Sequence, residues 1–276
     1  MKRILPVFLL PILLFALVSC SKRETENQPA KESVAPLAVK PLVVGMELAY
    51  PPFEMTDPQG KPAGISVDLA QGIADYLGRP LRIENIPFDG LIPALKTGNI
   101  DLIISSMTAT WEREQSIDFS DRYLRTGLAL LCATNSTIGG MRNQSEGEGR
   151  TFAVKLGTTG ELYARERLPA ATLHVLKDES ACVLEVIQGK VDAFIYDQMS
   201  VYRNWERNKE TTRPMLEAFQ MEDWAVGVRK GNDELRGKVN EFLAEFQRNG
   251  GFNELGEKYL ADMKRVFEQL GYDFIF

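Results

Sequence analysis

The chain has 276 residues, of which 44% are hydrophobic and 25% charged, and it carries a formal net charge of −6 at pH 7. This composition is typical of a globular protein with one large domain or two smaller ones. A net acidic chain without a basic patch argues against a nucleic-acid partner.

The first 41 residues are expected to lie outside the fold. Residues 1–19 combine a basic start with an apolar run that is too short to span a membrane, and they end in Leu-Val-Ser before Cys20. This pattern resembles the signal peptide of bacterial lipoproteins, which implies cleavage before Cys20 and lipidation of its thiol. A plain secretory signal with a chance cysteine is the alternative. Residues 20–41 are polar and are typical of a disordered tether.

From residue 42 onwards, short apolar strands alternate with amphipathic helices, and this order implies parallel sheets. Strands are predicted at 42–46, 81–86, 100–104, 128–133, 151–156, 191–196 and 224–228. Helices are predicted at 68–77, 90–96, 161–168, 180–188, 235–246 and 255–267.

The predicted strand at 100–104 stops abruptly at the hydroxyls of Ser105 and Ser106. Thr110 is a good N-cap for a short helix, and Arg113 falls in the first turn of that helix. In open α/β sheets ligands bind outside the carboxyl ends of the strands, and an arginine there suits a carboxylate. The alternative is an ordinary strand-to-helix turn with a surface arginine.

One internal repeat divides the chain into two similar halves. Residues 98–104 and 189–195 share a glycine, a polar residue, a branched residue, an aspartate and three apolar residues. We interpret this as two α/β lobes of like construction. If the lobes face each other, the polar residues after the two strands, Ser105 in one lobe and Asp197 in the other, meet across a cleft.

Such a cleft would suit the head group of a free amino acid. Arg113 supplies a positive fork, and Thr159 lies at a helix N-terminus, which favours anions. Asp197 supplies a negative charge for an ammonium group. The remaining hydrogen bonds and the flat apolar faces are assigned to Ser105, Ser106, Thr108, Tyr50 and Phe88. Taken alone, each of these residues also has an ordinary structural explanation.

The sequence offers little for catalysis or metal binding. It contains one histidine, His174, and three cysteines without a C-x-x-C pair. A zinc site needs about three or four ligands, so we expect no metal, no other cofactor and no catalytic residue. We interpret His174 as a surface or packing residue. Cys132 and Cys182 either form a disulfide or stay as buried thiols, and the sequence leaves both open.

Seven segments resemble the periplasmic polar amino-acid-binding proteins of ABC importers, which are bacterial solute-binding proteins of family 3. In the order found in that family, they are 45–54 with Tyr-Pro-Pro-Phe-Glu, 64–69, 88–101, 107–113, 118–123, 157–159 and 192–197. They span almost the whole of the expected fold.

The resemblance implies an α/β fold of the two-lobed type II periplasmic-binding-protein class. Each lobe is then a mostly parallel sheet flanked by helices. Residues 42–124 plus 227–276 are expected to form lobe 1, and residues 128–222 to form lobe 2. The hinge crossovers are expected at 124–128 and 220–227.

The resemblance also implies a role for each matching residue. Arg113 grips the α-carboxylate with help from Thr159, and Asp197 grips the α-ammonium. The hydroxyl groups that bond the head group are those of Ser105, Ser106 and Thr108. The aromatic rings that sandwich the ligand's side chain are those of Tyr50 and Phe88.

Two residues are expected at the far end of that side chain. Glu47 would welcome a guanidinium or ammonium group, whereas Lys155 would oppose a cation and suit an amide. The expected ligand is therefore a polar or basic L-amino acid, namely arginine, lysine, histidine or glutamine. Two departures from the family pattern are Arg122, where proline is usual, and a long apolar tail after Tyr259.

We therefore expect a monomeric binding protein that is anchored to the membrane through Cys20, lies in the periplasm or at the cell surface, and delivers its amino acid to an ABC permease. One alternative is a prephenate or arogenate (cyclohexadienyl) dehydratase on the same fold, with Glu47 or Glu161 as proton donor. Another alternative is a lipoprotein that senses a ligand and docks on a different partner.

Overall fold

The computed structural model describes residues 39–141, 144–269 and 271. The predicted signal peptide, Cys20, all but the end of the tether, and residues 270 and 272–276 of the tail lie outside these residues. Within the described part of the chain, no helix combines the length and the apolar character needed to cross a membrane.

Eleven strands are present in the described residues. They are β1 Leu42–Met46, β2 Ala49–Tyr50, β3 Glu54–Thr56, β4 Pro62–Ala63, β5 Leu81–Asn85, β6 Leu102–Ile103, β7 Ile117–Ala133, β8 Thr151–Lys155, β9 Thr172–Leu176, β10 Ala193–Asp197 and β11 Thr212–Arg229. The short strands β2, β3 and β4 form a separate antiparallel sheet.

Nine α-helices accompany them in the same residues. They are α1 Ile65–Tyr76, α2 Phe88–Thr97, α3 Trp111–Glu114, α4 Thr159–Arg167, α5 Glu179–Ile187, α6 Gln198–Arg207, α7 Asp233–Arg248, α8 Gly251–Tyr259 and α9 Ala261–Gln269. A 3₁₀ turn lies at Gln144–Gly147.

The main sheet has eight strands in the order β5-β1-β6-β11-β7-β10-β8-β9. Strands β5, β1 and β6 are parallel to one another, as are β10, β8 and β9. We call the first group with its helices the first lobe, and the second group with its helices the second lobe. Between them, β7 and β11 run antiparallel to each other and to their neighbours. The two-lobed α/β fold with mostly parallel sheets is therefore confirmed.

The two central strands are longer than the sequence predicted. The strand predicted at 128–133 is part of β7, which has 17 residues. The strand predicted at 224–228 is part of β11, which has 18 residues. The two strands pair along most of their length, so the backbone is hydrogen-bonded even where the side chains are charged. Cross-strand pairing of this kind has no signature in local hydrophobicity. The expected crossovers at 124–128 and 220–227 lie inside these strands.

Several smaller differences have local causes. The predicted helix at 255–267 is interrupted at Leu260, which ends α8 before α9 begins. Strand β9 and helix α6 were not predicted, because β9 is only half-buried and α6 is rich in polar residues. The other predicted helices and strands are present with shifted ends.

The strands of both lobes are buried on two faces by helices. In β1, Val43 packs beneath α2, whereas Leu42 and Val44 point to the opposite face, towards α1 and α7. Successive side chains of a strand alternate in this way. In the second lobe Cys132 of β7 belongs to the core cluster on one face of the sheet, whereas Cys182 of α5 belongs to the cluster on the other face.

The two cysteines are therefore separate thiols and not a disulfide. Burial raises the pKa of Cys132 to about 11 and that of Cys182 to about 12. A thiol that stays protonated at neutral pH is inert, so both residues serve as small apolar side chains.

Candidate functional site

A cavity lies between the two lobes and beside the two central strands. It contains about 450 Å³ of space outside protein atoms, part of which is open to solvent. Nine of the ten side chains predicted for the ligand site line it, namely Glu47, Tyr50, Phe88, Ser105, Ser106, Thr108, Arg113, Thr159 and Asp197. The tenth, Lys155, contacts Glu47 at the edge of the cavity and lines its neighbour. The sequence missed Glu54, Leu128, Thr158, Tyr196, Glu222 and Trp224.

Arg113 is buried in the cleft by the short helix that the sequence predicted. Thr110 caps α3, and its hydroxyl accepts a hydrogen bond from the Arg113 backbone N–H. The guanidinium donates to the carbonyl of Thr108 at 2.6 Å and, across the cleft, to that of Gly157 at 2.9 Å. Burial lowers the pKa of Arg113 to about 10, so the group remains a cation at neutral pH. Its remaining N–H groups are available to an anion.

Asp197 lies opposite, at the carboxyl end of β10, where it caps helix α6. Its Oδ1 accepts hydrogen bonds from the backbone N–H groups of Met199 and Ser200, both at 3.0 Å. The same oxygen accepts from the hydroxyl of Tyr50 at 2.6 Å. Burial raises the pKa of Asp197 to about 6, which leaves the group largely ionised at neutral pH.

Helix α4 comes unusually close to β10, and this places Thr159 in the cleft. A Cβ atom on Gly160 would lie 2.6 Å from the backbone oxygen of Ile195, so only glycine fits this approach. Thr159 is the first residue of α4, where backbone N–H groups have no partner within the helix. The helix dipole adds a partial positive charge at this end.

Glu54 is an acid that the sequence analysis missed. It is 1% exposed and accepts hydrogen bonds from Ser66 at 2.6 Å, Ser106 at 3.0 Å and Ser105 at 3.3 Å. Ser106 has a φ of 49°, which is rare for a residue other than glycine. Burial raises the pKa of Glu54 to about 8, although the three hydroxyls oppose this shift. The signal in the sequence was the acid directly after Pro-Pro-Phe.

Glu222 is a second missed acid, and it lies on β11. It is 5% exposed, and its Oε2 accepts hydrogen bonds from the hydroxyls of Thr159 at 3.0 Å and Thr108 at 3.1 Å. Its Oε1 accepts from Gln220 at 3.3 Å. Burial raises the pKa of Glu222, and Arg113 opposes that shift. No sequence signal marked it, because it follows a polar stretch that was not predicted as a strand.

The far end of the cavity is formed by an ion pair between Glu47 and Lys155, which belong to different lobes. The Lys155 side chain is 3% exposed and that of Glu47 is 13% exposed. The Phe88 ring lies between two cations, with its centroid 5.4 Å from Arg113 Cζ and 5.7 Å from Lys155 Nζ. Both distances allow a cation–π attraction.

The Tyr50 ring is buried among other aromatic rings and is 5% exposed. Its ring stacks on Phe53 with centroids 5.5 Å apart and meets the edges of Tyr196 and Trp224, both at 6.1 Å. Arg203, on α6, covers the Tyr50 ring at 5.3 Å. Arg203 also donates to the Pro51 carbonyl and pairs with Glu179, so it joins the lobes beside the cavity.

Among the residues that the structure describes, inside the cavity or outside it, no three histidine, cysteine or acidic side chains form a group that could bind a metal ion. His174 pairs with Glu185 at 2.9 Å, in the second lobe. That contact agrees with the interpretation of His174 as a surface or packing residue.

Residues 42–262 match the bacterial extracellular solute-binding proteins of family 3. The chain belongs to this family. Among its relatives is the L-cystine-binding protein TcyJ of Escherichia coli strain K12, which is 29% identical over 220 residues that cover 80% of this chain and 82% of TcyJ. The probable histidine-binding protein of Campylobacter jejuni is 32% identical over 94% of this chain and 99% of its own length. The glutamine-binding protein GlnH of Bacillus subtilis is 28% identical over 95% of this chain and 98% of its own length.

Solved structures agree with this assignment. An ancestral arginine-binding protein bound to arginine superimposes with a TM-score of 0.74 and 32% identity, over 81% of this chain and 99% of the other. An ancestral arginine-binding protein bound to glutamine gives a TM-score of 0.73 and 33% identity, over 79% of this chain and 97% of the other. The family and these relatives consist of binding proteins, so this chain is a binding protein and not an enzyme.

The substitution Glu54→Gln tests the protonation of the buried acid. An acid whose pKa is about 8 when folded and 4.5 otherwise binds a proton in the folded state over the range between these values. The free energy of unfolding of the wild type should therefore fall as the pH rises from about 5 to 8, by up to about 1.4 kcal/mol per pH unit. The variant should lose this part of the slope, as measured by urea unfolding at several pH values.

The control is Glu210→Gln, which removes an acid whose side chain is exposed. This variant should keep the pH dependence of the wild type. Parallel curves for the wild type and Glu54→Gln would show that Glu54 is ionised in the folded protein.

Proposed function

We propose that the cleft binds a free L-amino acid by its zwitterionic head group. The observation that carries the proposal is that Arg113 from the first lobe lines one cavity together with the N-terminus of α4 and Asp197 from the second lobe. A carboxylate beside Arg113 and an ammonium beside Asp197 would each meet an opposite charge in a site with little water, where such attractions are strong. Ser105 and Ser106 line the same cavity.

The ion pair at the far end of the cavity favours a neutral amide side chain. A primary amide can accept a hydrogen bond from Lys155 and donate one to Glu47, so the pair need not separate. A cationic side chain would compete with Lys155 for Glu47 and would leave a buried ammonium without its partner, which is costly. We therefore place L-glutamine ahead of arginine, lysine and histidine as the ligand.

We further propose that the bound amino acid is delivered to an ABC permease by a monomeric protein. The lobes at 42–124 plus 227–276 and at 128–222 would close over the ligand, with 124–128 and 220–227 as the hinge. Closure of this kind is driven by a ligand that contacts both lobes, because only the closed form makes all of its contacts. Relatives that bind amino acids support this proposal.

A thermal-shift screen against the twenty common L-amino acids tests the head-group proposal. The purified protein is first unfolded and refolded so that any bound ligand is removed. A ligand at a hundred times its dissociation constant should add about 2.7 kcal/mol to the free energy of unfolding. We expect the largest shift with L-glutamine.

The same screen on Arg113→Ala should give no shift at equal concentrations, because loss of a buried partner costs about 2–5 kcal/mol in binding. Arg248→Ala is the matched control, since Arg248 lies in the last turn of α7 with an exposed side chain. A wild type that responds to no amino acid would refute the proposal.

The substitution Lys155→Met tests the selectivity proposal. Without Lys155, Glu47 has no cation to pair with and should attract the guanidinium of arginine. The ratio of the arginine affinity to the glutamine affinity should rise by about tenfold or more, equivalent to about 1.4 kcal/mol. Calorimetric titration with both amino acids measures this ratio. Lys190→Met removes an exposed lysine and should leave the ratio unchanged; an equal ratio in all three proteins would place Lys155 outside the selectivity mechanism.

We also propose that the protein is anchored to the membrane by a lipid on Cys20, at the periplasmic face or the cell surface. Cys20→Ala should move the protein from the membrane fraction to the soluble extracytoplasmic fraction and abolish incorporation of labelled palmitate. Ser21→Ala is the matched control and should stay with the membrane. Retention of the Cys20→Ala protein in the membrane fraction would point to another means of attachment.

A further inference from the structure

The hydroxyls that the ligand's carboxylate would use are already bonded to a carboxylate of the protein. Thr108 and Thr159 come from different lobes, and both donate to the same oxygen of Glu222, at 3.1 and 3.0 Å. A hydroxyl has a single hydrogen to donate. While Thr108 and Thr159 bond Glu222, neither can donate to a ligand.

The position of Glu222 is fixed by the central strands. Its backbone pairs with Thr126 of β7, and its other oxygen accepts from Gln220 on the same strand. The neighbouring Asp223 lies on the opposite face of β11, where it pairs with Arg125 at 3.0 Å. The side chain of Glu222 therefore enters the cavity from the side of the hinge strands, between the two threonines.

We propose that Glu222 occupies the position of the ligand's α-carboxylate until a ligand binds, and that the ligand binds only when Glu222 gains a proton or moves away. This inference rests on the proposed function, because it assumes that a carboxylate binds beside Arg113. Glu222 is then a residue that determines specificity: it sets how strongly the site favours a carboxylate over a neutral group at that position.

Repulsion between like charges is the physical basis. A ligand carboxylate that shares the threonine hydroxyls would lie close to Glu222 in a buried site, and two such carboxylates cannot both ionise at low cost. Binding would raise the pKa of Glu222 further and would take up a proton. The contribution of Glu222 should then favour binding at low pH and should weaken binding as the pH rises, by at most about tenfold per pH unit for one proton.

Other charged groups line the same cavity and contribute to any pH dependence. The positive charge of Arg113 lowers the pKa of Glu222 and so favours the ionised form of Glu222. Glu54 and Asp197 titrate with pKa values of about 8 and about 6, and the phenol of Tyr196 stays protonated. The comparison of a Glu222 variant with the wild type separates Glu222 from these groups.

The test is a cycle of two proteins and two ligands. Wild type and Glu222→Gln are titrated calorimetrically with L-glutamine and with L-glutaminamide, which lacks the carboxylate. The pH range is 5 to 7, where the ammonium of the amide stays protonated. If arginine is the amino acid that binds, L-arginine and L-argininamide replace this pair. Glu217→Gln is the matched control, because it removes an exposed acid from the same strand.

We expect the affinity of the wild type for L-glutamine to fall relative to its affinity for L-glutaminamide as the pH rises. In Glu222→Gln this ratio should change less with pH, and L-glutamine should bind about tenfold more tightly at pH 7. Binding of L-glutaminamide should change little with the substitution. Titrations in two buffers of different ionisation enthalpy should show proton uptake by the wild type and less uptake by the variant. Glu217→Gln should match the wild type.

Equal losses for both ligands in Glu222→Gln would overturn the inference and make Glu222 a purely structural bridge. An unchanged pH profile in that variant would overturn it as well. If the variant does not fold, the wild type alone decides, because Asp197 affects both ligands equally and a ratio of the L-glutamine affinity to the L-glutaminamide affinity that stays constant with pH refutes the idea. A wild type that binds no amino acid would instead refute the proposed function itself.

Discussion

The antiparallel pairing of β7 with β11 is the interaction on which the rest of the structure depends. It extends from the pair Thr212 and Ala133 to the pair Arg229 and Ile117, and the two parallel sheets lie on its two sides. Register shifts near Gln220 and Ala225 interrupt the pairing where the strands pass between the lobes. Such irregularities bend a strand and increase its twist. The same stretch carries Glu222 and Trp224 into the cavity, so the connection between the lobes is also part of the site.

Burial of charge is the second constraint, and it explains why the cleft suits a binding protein. Glu54, Glu222 and Asp197 all have raised pKa values because the cleft excludes water. Each of them is held by hydroxyl or backbone donors and not by a direct ion pair. A buried charge that is stabilised only by neutral donors still gains from an opposite charge. A zwitterionic ligand supplies that charge without adding a net charge to the site.

The sequence revealed those parts of the site that lie at changes of pattern. Asp197 ends an apolar strand, and Arg113 lies in the short helix that comes next after another apolar strand. Boundaries of this kind can be recognised in the sequence. Glu54 and Glu222 could not be found in this way, because their hydrogen-bond partners lie far along the chain. Glu54 accepts from Ser105, and Glu222 accepts from Thr108. The length of β7 and β11 was hidden for the same reason, since strand pairing and not hydrophobicity maintains them. The internal repeat at 98–104 and 189–195 predicted two lobes, and the resemblance to a family supplied their expected boundaries.

The contacts inside the empty cleft bear on how affinity arises. Arg113 already donates to two carbonyls, Asp197 already accepts from Tyr50, and Lys155 already pairs with Glu47. A ligand therefore exchanges partners and does not simply add bonds. The net gain from exchanging one neutral hydrogen bond for another is small, about 0.5–1.5 kcal/mol. Discrimination between amino acids must then come from the contacts that each ligand has to break. At the far end of the cavity Lys155 and Glu47 already pair with each other, so a ligand that preserves their contact has the advantage over one that must break it.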